Sequence, residues 1–183
     1  MPVLNSFQIT TQGNAGNLCW AAAGLGISSY YDQLAAITPR WSRLCEYAMA
    51  VFSSHDGSPP DTLRCCDDRR ILGPECNQPF WLPDALGVTG NQGSVIDDHL
   101  SYGDVKAQID LRRPIGVEIQ STVGGHVIVI YGYDEADGQK VVVADPSPDA
   151  NTSALLLYDE LLTDYKHSGG QWSQTYLTVP TNG

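Results

Sequence analysis

From Met1 to Tyr31 the chain carries no charged side chain, and its first ionised residue is Asp32. Within that run Leu18 to Ile27 is apolar almost without a break, while Gln12, Asn14 and Asn17 interrupt the approach to it. The apolar stretch is too short to cross a bilayer and has no basic segment before it, so neither a membrane span nor a signal peptide is expected. The pattern predicts instead a buried helix from about Leu18 to about Leu34, capped by Asn17. Thr38-Pro39 predicts a second helix with proline at its first position, running to about Phe52. Residues 53–80 read as irregular. Ser101-Tyr102-Gly103-Asp104 has the form of a capping box and predicts a helix to about Leu111. Beyond it the apolar period shortens, and Ile115–Ile119, Val127–Tyr133, Gln139–Ala144, Ala154–Leu157 and Thr175–Val179 read as strands, with a short helical turn over Tyr158–Asp164. Helices come first and strands follow. The expectation is one α+β domain, with a helical lobe over about 1–112, a sheet lobe over about 113–183 and a cleft between them.

Charge removes several function classes. Ten Lys and Arg stand against 21 Asp and Glu, a formal net charge of −11, and no basic cluster exceeds Arg69-Arg70 or Arg112-Arg113. Nucleic acid and anionic membrane surfaces are therefore not expected partners. Five cysteines are an odd number, and four of them, Cys45, Cys65, Cys66 and Cys76, fall within 32 residues. Two disulfides and one free thiol is the simplest arrangement, since this stretch is rich in proline and glycine and has little core of its own. Three pairings are open; a bond between the adjacent Cys65 and Cys66 is the most strained. Four reduced thiols in a cytosolic protein is the alternative. The spacing suits no zinc site, and no cofactor or metal is expected.

That arithmetic leaves Cys19, in the first turn of the predicted buried helix, where a thiolate is favoured. Alone, it reads more readily as an inert buried side chain. His126 changes the weighting. It follows Gly124-Gly125 and opens the apolar run Val127–Ile130, so its imidazole needs a partner. Asp145 can supply one. If Asp134 and Asp137 close a hairpin, Tyr131 faces Lys140, Val129 faces Val142, and His126 faces Asp145. A slip of one residue would separate them. Gln12, in the loop before Cys19, carries an amide able to donate to an oxyanion, with Asn14 and Asn17 the nearest alternatives. His55, His99 and His167 sit in polar contexts and are expected at the surface.

Gln12, Cys19-Trp20-Ala21-Ala22, Gly125-His126-Val127-Ile128-Val129, Gly132-Tyr133-Asp134 and Val143-Ala144-Asp145-Pro146 together resemble the papain-like cysteine peptidase clan. The likeness is to its compact bacterial branch, which includes bacteriocin leader peptidases and exported effector proteases. The resemblance implies a papain-like fold, with Cys19 as nucleophile, His126 as general base and acid, Asp145 orienting the imidazole and Gln12 donating to the oxyanion. Three differences from plant papain stand out: a shorter separation of 107 positions between Cys19 and His126, Asp in place of Asn as third member, and an offset of Gln12 longer by one. The implied function is a secreted or exported peptidase, monomeric, acting on a peptide or protein. A deamidase or transglutaminase-like acyl transfer on the same site is the second reading, and a non-enzymatic binding module the third.

Overall fold

The computed structural model describes residues 1–57, 65–66, 76–148 and 152–181. Among these residues five helices, α1 (Cys19–Leu34), α2 (Leu44–Asp56), α3 (Leu82–Thr89), α4 (Tyr102–Asp110) and α5 (Tyr158–Thr163), pack with six strands. The strands are β1 (Gln92–Ile96), β2 (Ile115–Ser121), β3 (Gly124–Asp134), β4 (Lys140–Ala144), β5 (Ala154–Leu157) and β6 (Gln171–Thr178). They form one antiparallel sheet in the order β1-β6-β2-β3-β4-β5. This is the α+β class expected. No described helix is long and apolar enough to cross a membrane.

Helix α1 is the centre of the core because nothing polar on it needs water until its last turn. Trp20 through Ser28 are buried without interruption, as are Tyr30, Tyr31 and Asp32. Burying a large apolar side chain such as Trp20, Ile27 or Tyr31 contributes roughly 1.5–3 kcal/mol each. Gly24 lets α2 approach closely: a Cβ there would sit 2.3 Å from the Tyr47 hydroxyl, which donates to Ala85 O on α3. The helix begins at Cys19, one residue later than predicted. Leu18 is the N-cap and makes no side-chain cap bond. Asn17 is drawn away, its backbone N–H and its side-chain amide both bonding Asn77.

The predicted second helix is misplaced. Residues 39–43 are not helical, because Asp32 is buried and needs donors. The backbone N–H and guanidinium of Arg40 supply them, and the same guanidinium reaches Ser28 Oγ and Thr89 O. Helix α2 starts only at Leu44, where the Glu46 carboxylate accepts from the backbone N–H groups of Ser42 and Arg43. Ser101 caps α4 as expected, accepting from Asp104 N–H. Helix α3 and strand β1 were not anticipated. The first carries the punctuation of a helix, Pro83 at its start and Gly90 beyond its end with φ of 75°; the second is a short edge strand without alternation.

The cysteines pair as Cys45–Cys66 and Cys65–Cys76, leaving Cys19 free. The adjacent thiols of Cys65 and Cys66 thus reach in two directions, tying α2 to the chain that leads into α3.

Candidate active site

Cys19, His126 and Asp145 arrive from three elements. Cys19 opens α1 and is half-buried. A ladder of loop hydrogen bonds sets its position: Gln12 N–H donates to Pro146 O at 2.8 Å, Ala15 N–H to Gln12 O, and Leu18 N–H to Ala15 O. The start of α1 is thereby tied to the residue after Asp145.

The β3–β4 hairpin sets the other two, in a register different from the expected one. Asp134 pairs with Lys140, so the turn holds five residues instead of two. Ile130 then pairs with Val143 but Gly132 with Val142, leaving Tyr131 as an extra residue, a β-bulge. Val129 pairs with Ala144, and the next step puts Ile128, not His126, opposite Asp145. The bulge decides the outcome. Without it Asp145 would fall opposite Val129 and point to the face away from His126; with it the offset from the expected pairing is two residues, and the pleat returns both side chains to one face. They meet as diagonal neighbours, His126 Nε2 donating to Asp145 Oδ1 at 2.8 Å. The other ring nitrogen is left for Cys19, whose side chain is near enough to help raise the pKa of this imidazole.

Asp145 is only 3% exposed and accepts four hydrogen bonds. Oδ1 takes His126 Nε2–H and Ser147 N–H; Oδ2 takes the Tyr165 hydroxyl at 2.7 Å and the Lys166 ammonium at 2.7 Å. Tyr165 and Lys166 escaped sequence reading, since nothing in their local pattern ties them to an aspartate twenty residues earlier. Their signal is conformational. Lys166 and His167 have φ of 49° and 57° at the centre of a tight turn closed by Ser168 N–H to Tyr165 O. Positive φ at two successive non-glycine residues is costly and aims the Lys166 side chain at the carboxylate.

These contacts fix the charges. Burial opposes ionisation of Asp145, but the bond from His126 with its positive charge, and the bonds from Lys166 and Ser147 N–H, outweigh it and hold the carboxyl far below its usual range. Burial likewise pulls His126 down, and the bonds to Asp145 and Cys19 overcome it and push its pKa up to about 9. Near neutral pH the imidazole is therefore a cation between two acidic partners.

Gln12 is buried beside the Asp145-Pro146 turn, and its side-chain oxygen has no hydrogen-bond partner among the described residues. Asn14 and Asn17 are exposed. His55, His99 and His167 are exposed too, His99 beside Asp98 and His167 beside Asp164. Next to Cys19 lies an open cleft of about 430 Å³. Its floor is sheet, with Glu118, Gly125, Val127 and Tyr176; its wall is the 79–82 segment with Phe80 and Trp81.

No curated protein matches the chain. The profile of the Peptidase_C39 like family matches residues 74–176, 103 of the 183, a span that holds His126, Asp145, Tyr165 and Lys166 and leaves Gln12 and Cys19 before it. The helices, the antiparallel sheet and this match agree: the chain belongs to the Peptidase_C39-like family and is a papain-like protein of cysteine-peptidase type.

Proposed function

We propose that the protein is a peptidase that cleaves peptide bonds through a thioester on Cys19. The observation that carries this reading is the His126 imidazole, bonded to Asp145 on one side and influenced by Cys19 on the other, at the edge of an open cleft that Cys19 lines. With His126 held as imidazolium, Cys19 acts as a thiolate. Its sulfur attacks the scissile carbonyl carbon, and the carbonyl π pair moves onto oxygen. Collapse of that intermediate expels the amine, which takes the His126 proton, and leaves an S-acyl enzyme. His126, now neutral, removes a proton from water; the hydroxide adds to the thioester, and the thiolate departs. Asp145, pinned by Tyr165, Lys166 and Ser147, keeps the ring oriented and favours its cationic form. The Cys19 backbone N–H, at the head of α1, and the Gln12 amide serve the oxyanion.

The enzyme acts as one monomeric domain on a peptide or protein, with neither nucleic acid nor membrane as partner. Two disulfides suit a secreted protein working where thiols stay oxidised.

A mixed peptide substrate followed by mass spectrometry, wild type against Cys19→Ala, tests the reading. Backbone cleavage by the wild type alone is expected. A gain of about one mass unit at Gln or Asn without cleavage, the outcome for a deamidase on the same thiolate, would overturn it.

A further inference from the structure

We propose that Glu118 makes the cleft beside Cys19 a subsite for a cationic substrate side chain, arginine ahead of lysine. The proposal rests on the peptidase reading and supplies the substrate chemistry which that reading leaves open.

Glu118 lies on β2 directly opposite Val127 of β3, so both project from one face of the sheet into the cleft that Cys19 shares. Of the described side chains lining this cleft it is the only carboxylate, and none of them is basic. No Lys, Arg or His among the described residues lies within ion-pair distance of it. Oε2 accepts from the Tyr176 hydroxyl, but that hydroxyl has one proton and is offered a second acceptor, Gln174 Oε1 at 2.9 Å. Oε1 lies against Gly125, the residue before His126; a Cβ there would come within 3.0 Å of it. A side chain at 125 would thus crowd the carboxylate, and glycine leaves it room beside the reacting groups. A half-buried carboxylate with one shared donor is under-satisfied, and a ligand cation would complete it.

The walls suit a guanidinium. Tyr176, Phe80 and Trp81 line the cleft, and Trp81 remains 45% exposed, a large ring left in water. A planar cation can stack on such rings while donating two hydrogen bonds to a carboxylate, which an ammonium cannot. The net charge of −11 draws cationic peptides toward the site as well.

The test compares the cleavage-site profiles of wild type, Glu118→Gln and Glu118→Lys on a proteome-derived peptide library, followed by kcat/KM on the best peptide with Arg or its neutral analogue citrulline at the selected position. Wild type is expected to enrich Arg, then Lys, at one position within about two residues of the cut, and to favour Arg over citrulline roughly 10- to 100-fold, the size of one charged hydrogen bond. Glu118→Gln should erase that ratio while cleaving the citrulline peptide at the wild-type rate and melting no lower, because the amide oxygen still accepts from Tyr176. Glu118→Lys should select Asp or Glu. An unchanged Arg-to-citrulline ratio in Glu118→Gln would overturn the subsite, as would an equal loss on both peptides with a lowered melting temperature, the mark of a purely structural carboxylate. Failure of the underlying reading is distinct: the wild type would then cut no peptide and Cys19 would resist alkylation by a peptidyl chloromethyl ketone, and both proposals would fall.

Discussion

Two carboxylates stand at the candidate site around Cys19, and they are built in opposite ways. Asp145 is almost sealed from water and takes four donors, two of them cationic. Glu118 stands half-buried in the cleft, and among the described residues it has a single shared donor and no cation. A carboxylate saturated by its own fold cannot serve a ligand; it can only hold something else still. A carboxylate left short of donors has capacity to receive. The fold commits a bulge and a turn with two positive φ values to satisfying the first. On the proposed reading the contrast gives Asp145 to the machinery and Glu118 to selection.

The largest effects belong to the saturated side. Cys19→Ala and His126→Ala should each abolish cleavage, because nucleophile and base act as one unit. Brief alkylation followed by peptide mapping should label Cys19 ahead of every other cysteine. Labelling elsewhere would break the assignment. Gln12→Ala should follow with a cost of about 2.7–4 kcal/mol in the barrier if its amide binds the oxyanion, read as a fall in kcat with little change in KM; a silent Gln12→Ala would move the donor to another group.

Asp145→Asn should leave partial activity and sharpen the comparison through pH. His126 is raised to about 9 and must be protonated to keep the thiolate, so the alkaline limb of kcat/KM should lie near 9. Removing the Asp145 charge takes away a cause that raises this pKa, and the limb should move down toward the ordinary value of about 6.5. Lys166→Met should move it slightly upward, since the carboxylate then acts on His126 without its compensating cation. The stability consequence has the same sign. A raised His126 pKa contributes stability that is whole below about 6.5 and lost as pH climbs through about 9. The depressed Asp145 contributes stability present above its unfolded value of about 3.9 and lost as pH falls further. Asp145→Asn should therefore narrow the gap between melting temperatures at pH 6 and pH 10. An unchanged gap would mean that the charges are not coupled.

These residues also mark how far the sequence could be read. Helix α1, the cap of α4 and the buried strands were legible because apolar period and caps are local signals. The partnership of His126 and Asp145 was legible as chemistry but not as register: a five-residue turn and a bulge at Tyr131 together shift the pairing by two, and neither has a signature in Asp134–Gly138 or Tyr131. Helix α2 was placed too early because the demand of the buried Asp32 for Arg40 arises in tertiary structure, not in the pattern after Thr38. Tyr165 and Lys166 depend on a turn that brings distant residues to one oxygen. Glu118 looked like the polar member of an ordinary strand, and only the cleft gives it meaning.

On the cleft side the effects should be smaller and confined to stability and selectivity. Cys65–Cys76 and the two bonds between Asn17 and Asn77 anchor the segment that leads to Phe80 and Trp81. Replacing Cys65 and Cys76 together by serine should cost about 2–4 kcal/mol of stability in denaturant unfolding and blunt discrimination among peptides more than it lowers kcat. Gly24→Ala, which would drive a methyl into the Tyr47 hydroxyl, should destabilise by about 1–3 kcal/mol without altering peptide preference.

The central claim, that Cys19 becomes acylated by the substrate it cleaves, is tested most directly by acid-quenching the enzyme during turnover of a single peptide and measuring its intact mass. The account predicts an adduct equal to the N-terminal fragment less water, mapped to Cys19, absent from Cys19→Ala and removed by hydroxylamine. Cleavage that proceeds with Cys19 replaced, or an adduct on a different residue, would contradict it.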